Sequence, residues 1–542
     1  MTIKRLVLIF VLTPIAILLS VTSLFNSWQE PQFQSRLELY QTNIALQAQA
    51  WQPKNNNNDN FQAIRAAILG EQPLESAINQ YQQARNSVQA NLDKAKKKLA
   101  QARSQPKTPP VPPKPLPESP PVTNTSDRDQ QQKLQQSLKQ LQKLLAELDL
   151  RLGILQAQQG HTDAALKIWN ELQKRLETEK PDIKSLPNTP QYANSNEFAG
   201  MAAVLSGLWS DPARILPNAQ KLIQKNLEGW FRSSALVQLY QLQQRQEALS
   251  VVQATQQEAA TQAVLKLALI GTIPTFAALV GMVVLISLFV QRFLKGKTAL
   301  LAQNADVPWS TPWNSETILQ VFILGFFFMG QVFVPLMLSI IPIPRPAGNV
   351  RIQAVYVLVS YLLVASGALL VLYFSIKRFF PLPELWFRFR LQDRWFLWGL
   401  GGYCAALPIV VLVSLINQQL WQGQGGSNPL LQLALESQDE VALGIFFFTA
   451  AIAAPFFEEL LFRGFLLPSL TRYLPVWGAI IASGLLFAIA HLSLSEILPL
   501  TALGIVLGVV YTRSRNLLAP MLLHSLWNSG TLLSLFLLGS GN

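Results

Sequence analysis

Acidic, basic and imidazole side chains cluster near the C-terminus, inside sequence that is otherwise apolar. Glu458 and Glu459 are adjacent, Arg463 follows Glu459 by four residues, and His491 and His524 lie in later apolar segments. Charged and imidazole groups are costly in membrane segments, so each one is a hypothesis for a functional site. Carboxylates and imidazoles are also the side chains that most often move protons in catalysis. The cluster therefore predicts a site for acid–base chemistry.

The spacing of the charged residues separates the two glutamates. Glu459 and Arg463 have the favourable order for an ion pair within a helix, so we expect Arg463 to neutralise Glu459. Glu458 lies about 100° further round the helix and is left as the carboxylate that could take a proton from water. Pro455 has no N–H to donate to the Ala451 carbonyl, so a kink is expected near the acids, which should close their helix.

The two histidines each share a helix face with a second residue. Phe487 and His491 are at positions i and i+4, as are His524 and Asn528. The alternative is that the histidines only form hydrogen bonds between helices and that the ion pair only packs. One carboxylate, two imidazoles and one amide on three helices are better explained by a shared site.

These residues form three spaced motifs. Glu458–Arg463 (EELLFR) matches EExxxR, Phe487–His491 (FAIAH) matches FxxxH, and His524–Asn528 (HSLWN) matches HxxxN. In this order they resemble the CPBP family, the Abi or type II CAAX-prenyl-protease-like intramembrane proteases. The resemblance covers the C-terminal helices, and the earlier membrane helices match only in kind.

The resemblance implies an intramembrane endopeptidase that hydrolyses a peptide bond of a membrane protein or membrane-anchored peptide. It implies that Glu458 and His491 activate the hydrolytic water and that His524 and Asn528 stabilise the oxyanion. It does not imply that prenylated proteins are the substrates. The positions implied to support the site are Glu459, Arg463 and Phe487.

No cofactor is expected, although zinc stays open as an alternative. Glu458, His491 and His524 could supply three zinc ligands and leave an open position. However, HExxH is absent, and Arg463 nearby would disfavour a cation. A metal-independent glutamate mechanism is therefore the favoured prediction.

The whole chain has the composition of a membrane protein. Half of its 542 residues are hydrophobic, only 14% are charged, and the mean hydropathy is +0.24. The net charge of +12 does not indicate nucleic-acid binding, because Lys and Arg cluster at the ends of apolar blocks, next to lipid headgroups. The predicted fold class is all-α: a polytopic membrane helix bundle of about nine transmembrane helices, with an N-terminal soluble, helical domain. The predicted spans are residues 6–24, 265–290, 317–341, 352–376, 395–416, 441–457, 474–492, 497–512 and 519–538.

The soluble part has a repeat-like signature. Leu152, Gly153, Gly160, Ala165 and Trp169 have the offsets of a tetratricopeptide repeat (TPR), in which small residues let two helices approach and an aromatic fills the gap. We therefore predict a TPR-like domain that binds a protein partner. Its combination with the three motifs resembles the cyanobacterial and plastid-type members of the family.

The predicted organisation divides the chain into four parts. The N-terminal run could be a cleaved signal, but its length favours a retained anchor. The predicted parts are 1–25, a membrane anchor or signal-anchor; 26–262, the soluble TPR-like domain with a Pro-rich linker at 106–121; 263–440, membrane helices; and 441–538, the catalytic helices.

Lys and Arg are unequally distributed between the two sets of loops. With the N-terminus inside, the cytoplasmic loops between the membrane helices carry clusters of Lys and Arg, and the short opposite loops are nearly bare. This places residues 26–262 outside the cytoplasm, in a plasma or thylakoid-type membrane. A non-catalytic membrane adaptor or immunity-type binding protein is the competing function, although the intact motifs argue against it. A transporter is disfavoured because the titratable residues cluster on one side of the membrane instead of crossing it.

Overall fold

A computed structural model gives the fold of the chain. It describes residues 3–28, 34–52, 70–104, 125–178, 190–340, 349–421 and 439–539, with isolated positions from 425 to 435. The predicted Pro-rich linker, 106–121, lies outside the described residues. Within those ranges the chain is helical and has no strand, which confirms the all-α class.

The described helices are numbered here from the N-terminus. In chain order they are α1 (Arg5–Ser27), α2 (Gln34–Ala48), α3 (Pro73–Ser104), α4 (Thr125–Gln158), α5 (Thr162–Thr178), α6 (Pro190–Trp209), α7 (Ala219–Asn226), α8 (Gly229–Leu242), α9 (Gln246–Lys295), α10 (Ser315–Ile340), α11 (Val350–Ile376), α12 (Trp395–Trp421), α13 (Glu440–Leu470), α14 (Val476–Ile489), α15 (Leu494–Ser514) and α16 (Leu518–Gly539).

The chain folds into two compact units. One comprises Met1–Leu37 with Ala268–Ser540, and the other is formed by Glu38–Leu267, so the chain passes from one unit to the other within α2 and again within α9. Among the described residues, eight helices are long and apolar enough to cross a membrane: α1, α9, α10, α11, α12, α13, α15 and α16.

The prediction of about nine spans included residues 474–492, but the helix found there, α14, is shorter than predicted. α14 has 14 residues, and at 1.5 Å per residue it is about 21 Å long, shorter than the roughly 30 Å hydrocarbon core. It begins after Pro475 and ends at Ile489, before the polar residues that follow. α14 packs along α15 with one face, and its other face, which carries Trp477 and Ile481, is exposed.

α13 extends beyond the end that the sequence predicted. We expected a helix that closes at the two glutamates, but α13 continues to Leu470, so Glu458 and Glu459 lie in its middle. Two π-helical stretches, Phe448–Ala453 and Leu460–Leu466, flank the α-helical turn that carries the acids. Pro455 is accommodated at the start of that turn, and π-helical turns are frequent at functional sites.

Aromatic side chains form the core around α13. The Phe462 ring contacts Phe322 of α10 at 5.5 Å and Phe487 of α14 at 5.4 Å between centroids. Phe465 stacks on Trp313 at 5.5 Å. These rings are too bulky to move independently, so they fix the rotation of α13 and α14 about their axes.

The second unit, Glu38–Leu267, contains the helix pair in which the repeat was predicted. α4 and α5 are joined by a short turn in which Gly160 has φ +90°. Trp169 is fully buried, and its indole N–H donates to the Leu150 carbonyl at 3.3 Å. A Cβ at Gly153 would lie 2.2 Å from the Trp169 Nε1 atom, so only glycine allows this approach. The TPR-like assignment itself stays a prediction.

Candidate active site

The expected ion pair is present on α13 and is completely buried. Arg463 Nη1 donates to Glu459 Oε1 at 2.8 Å, and neither side chain is exposed. Arg463 Nη2 donates to the Gly504 carbonyl of α15 at 3.1 Å. Its guanidinium also lies 4.5 Å from the centroid of the Phe487 ring. Arg463 therefore connects three helices as well as balancing Glu459.

His524 gives Glu459 a second partner that its spacing from Arg463 did not predict. The His524 Nδ1–H donates to Glu459 Oε1 at 2.8 Å, the same oxygen that Arg463 binds. His524 Nε2 lies 3.9 Å from Glu458 Oε2. The buried imidazole thus stands between the two carboxylates, held by Glu459 and directed at Glu458.

Glu458 has a different environment from its neighbour. Its side chain is 16% exposed, and its Oε1 accepts a hydrogen bond from the Tyr361 hydroxyl of α11 at 3.3 Å. Motif spacing gave no reason to include Tyr361, because it precedes Glu458 by 97 residues. The only signal was a phenol within an apolar helix, where a buried hydroxyl needs a partner.

His491 lies just beyond α14 instead of on its last turn. The helix ends at Ile489, yet the His491 Nδ1–H still donates to the Phe487 carbonyl at 2.9 Å. Because a carbonyl oxygen can only accept, the proton of this bond is on Nδ1, and Nε2 is left for a further partner. The Phe487 ring contacts both imidazoles, with centroids 5.0 Å from His491 and 5.6 Å from His524. Phe487 is therefore the side chain on which both histidines pack.

Asn528 binds the backbone of α13. Its Nδ2 donates to the Ala450 carbonyl at 2.7 Å, and Ser525 Oγ donates to the Ala451 carbonyl at 2.6 Å. Pro455 has no N–H for Ala451 in an α-helical register or for Ala450 in a π-helical register. α16 thus supplies donors to the two carbonyls nearest to this missing donor. One N–H of the Asn528 amide remains after the bond to Ala450.

The last feature of this region is the grouping of side chains that could bind a metal. Among the described residues, no three His, Cys, Asp or Glu side chains are grouped closely enough to hold a metal ion. Both histidines use Nδ1 for a bond within the protein, so Nε2 is the ring nitrogen that each keeps for a further partner. Histidines that bind zinc donate their other ring N–H in the same way, so zinc stays the alternative to the metal-independent mechanism.

The arrangement has the components of a hydrolytic site. Glu458 is a partly exposed carboxylate, His491 and His524 each keep Nε2 beyond their bond at Nδ1, and Asn528 keeps one amide N–H. A base, an oriented water and donors for an oxyanion are what acyl transfer to water requires. The buried ion pair and the aromatic side chains around it hold these groups rigidly.

Comparison with known proteins points to the same region. Residues 440–530 match the family described as type II CAAX prenyl endopeptidase Rce1-like, a segment that includes all three motifs. The membrane-embedded CAAX protease MroQ of Staphylococcus aureus (strain USA300) is 24% identical over 225 residues, 40% of this chain and 86% of that protein. The putative membrane peptidase YdiL of Bacillus subtilis (strain 168) is 26% identical over 133 residues, 24% of this chain and 53% of that protein. No solved structure matches the chain.

The fold and these likenesses agree on a class of protein. The chain is an integral membrane protein built of helices, and its C-terminal part carries a domain similar to CAAX proteases. This similarity supports an intramembrane protease family, whose members act on membrane-associated peptides.

Proposed function

We propose that this chain is an intramembrane endopeptidase of the CPBP type that hydrolyses a peptide bond by means of a water activated by Glu458. The proposal rests on the different environments of two adjacent acids. Glu459 is buried and bound by Arg463 and His524, whereas Glu458 keeps a partly exposed carboxylate next to both His524 and Tyr361. A catalytic base needs that access, and a supporting acid does not.

In the first step, water adds to the scissile peptide group. The Glu458 carboxylate takes one proton from the water while the water oxygen bonds to the carbonyl carbon. His491 orients the water by accepting its second hydrogen at Nε2, the nitrogen that its bond to Phe487 leaves free. The carbonyl oxygen becomes an oxyanion, which accepts hydrogen bonds from His524 Nε2–H and from the second N–H of Asn528.

The oxyanion role proposed for His524 needs a proton on each of its ring nitrogens. Since Nδ1–H donates to Glu459, an Nε2–H donor requires the doubly protonated ring. Two carboxylates, 2.8 and 3.9 Å away, balance that charge, and Arg463 is matched by the same acidic pair. Arg463 and the doubly protonated His524 then balance the carboxylates of Glu458 and Glu459, so these four side chains carry no net charge before the water is deprotonated.

In the second step, the tetrahedral intermediate collapses. Glu458 gives the proton it took from water to the peptide nitrogen, the C–N bond breaks, and a carboxylic acid and an amine are released. Glu458 returns to its ionised form, so one water is consumed for each bond broken. Tyr361 donates to Glu458 Oε1 and keeps the carboxylate in one orientation through both steps.

The proposal is tested by comparing membrane-protein fragments in cells that carry the natural chain or Glu458→Gln. The matched control is Glu440→Gln, an exposed glutamate in the first turn of α13. We expect fragments that are present with the natural chain and the control but absent with Glu458→Gln. Identical fragments in all three would instead favour the non-catalytic adaptor.

We further propose that the soluble domain, residues 26–262, lies outside the cytoplasm and binds a protein partner through its TPR-like helices. The excess of Lys and Arg in the opposite loops supports this orientation. To test the orientation, the native Cys404 is replaced by alanine and a single cysteine is introduced within residues 106–121. This cysteine is then labelled from each side of the membrane. Labelling from the extracytoplasmic side is expected, and labelling only from the cytoplasmic side would refute the orientation.

A further inference from the structure

The segment that carries His491 is tied to distant parts of the chain. We call residues 490–496, which follow α14 and include the first turn of α15, the His491 loop. Leu492 within it has φ +55°, a left-handed conformation that is unfavourable for a branched side chain. Such a backbone persists only where the surrounding structure fixes it.

The N-terminal helix supplies one of these ties. Leu494 begins α15, and its N–H donates to the Ser27 Oγ atom of α1 at 3.1 Å. The first N–H groups of a helix have no partner within it, and the preceding residue, Ser493, makes no capping hydrogen bond. Ser27, which is 6% exposed, therefore caps α15 from a helix more than 460 residues away in sequence.

Two further ties act on the next residue of the loop. Asn417 Nδ2 of α12 donates to the Ser495 carbonyl at 2.7 Å, and the Ser495 N–H donates to the Gly425 carbonyl at 3.1 Å. Gly425 has φ +111°, and a Cβ there would lie 2.8 Å from the Ser495 Cβ atom. The backbone of Ser495 is thus held at both its N–H and its carbonyl from outside the loop.

An aromatic contact joins the two helices that hold the loop. Trp28, directly after Ser27, meets Trp421 at the end of α12 edge to face, with 6.1 Å between centroids. Edge-to-face aromatic pairs add to the stability given by their burial. α1 and α12 each hydrogen-bond to the His491 loop, and this aromatic pair also joins the ends of the two helices to each other.

We infer that α1 is a retained part of the folded protein, with Ser27 as a positioning residue that holds the His491 loop in place. An anchor that served only to tether the chain would need no polar contact with this loop. The catalytic consequence rests on the proposed function: removing the Ser27 hydroxyl displaces His491 and slows water activation, although Ser27 does not touch the reacting atoms.

The contact is tested without reference to proteolysis, by hydrogen exchange of the full-length protein in lipid nanodiscs. Ser27→Ala should speed exchange in the peptide that covers residues 490–496 roughly fivefold, the effect of losing one ordinary hydrogen bond. The matched control is Thr22→Ala, whose exposed hydroxyl donates only to Leu18 of the same helix. Unchanged exchange in Ser27→Ala, or equal changes in both variants, would overturn the inference.

Two further readouts complete the test. The intact mass of the purified protein should correspond to a chain that retains α1, and loss of α1 from active protein would overturn the inference. On a substrate found by fragment comparison, Ser27→Ala should lower kcat with KM unchanged, and Ser27→Thr should restore it. Faster exchange with unaltered kcat would refute the positioning role. If the natural chain cleaves nothing, the proposed function fails, while the exchange result still decides whether Ser27 holds the loop.

Discussion

Replacing Glu459 by glutamine should destabilise the protein, and the size of the effect follows from the burial of its partner. Arg463 and Glu459 are both fully buried, 2.8 Å apart. Removing one member of such a pair leaves an uncompensated buried charge, which costs about 3–5 kcal/mol. The glutamine oxygen can still accept one neutral hydrogen bond, so we expect a loss of about 3 kcal/mol, near the lower end.

Glu458→Gln provides the contrast within the same turn of α13. Its side chain is partly exposed, and an amide oxygen can still accept from Tyr361. We expect a stability change below about 1 kcal/mol, together with loss of hydrolysis, because the amide cannot accept the proton from water. The two neighbouring substitutions should therefore separate stability from activity.

The assay combines accumulation in membranes with unfolding by a denaturing detergent. A second variant, Glu459→Gln with Arg463→Met, removes both charges and should recover part of the lost stability, since no uncompensated charge of the pair stays buried. It should stay inactive, because His524 has lost its carboxylate partner. The reasoning is refuted if Glu459→Gln is as stable as the natural chain, or if the double variant is no more stable than the single one.

Three other predictions concern the residues around this pair and the soluble unit. Tyr361→Phe should lower kcat/KM roughly tenfold, since a hydrogen bond to a charged group contributes about 1.5 kcal/mol. Its control is Tyr356→Phe, at an exposed site on the same helix. Equal kcat/KM values in the two variants would show that Tyr361 does not act in the site. Trp169→Ala should cost the isolated soluble unit about 3–5 kcal/mol in thermal unfolding, and an unchanged melting curve would contradict its packing against Gly153. Exhaustive chelation should leave the peptidase active; loss of activity that zinc restores, with one zinc bound per chain, would make Glu458, His491 and His524 ligands.

The parts of the site that follow from local helix geometry were predictable from the sequence. A separation of four residues places Glu459 beside Arg463 in any α-helix, and the pair indeed forms an ion pair. The same rule brought Phe487 and His491 together, although the helix ends before His491. Periodicity determines neighbours within one element, whatever the element packs against.

Contacts between helices were beyond that kind of reasoning. His524 binds Glu459 across 65 residues and Tyr361 binds Glu458 across 97, and no spacing rule links such distant positions. The support of the His491 loop by Ser27 depends likewise on which helices are neighbours. The length of α14 was overestimated because apolar sequence alone does not mark where a helix ends between polar turns.

The adaptor alternative differs from the peptidase in one respect, whether Glu458 performs chemistry. The most direct measurement is the single-turnover rate constant for cleavage of a substrate found by fragment comparison, with the full chain reconstituted in lipid vesicles. Glu458→Gln should lower this rate constant by at least roughly 10²-fold relative to the natural chain and to Glu440→Gln, since a general base typically contributes 10²–10⁴-fold. Cleavage by Glu458→Gln within a factor of about two of the natural rate, a change too small for the loss of a catalytic base, would contradict the central claim.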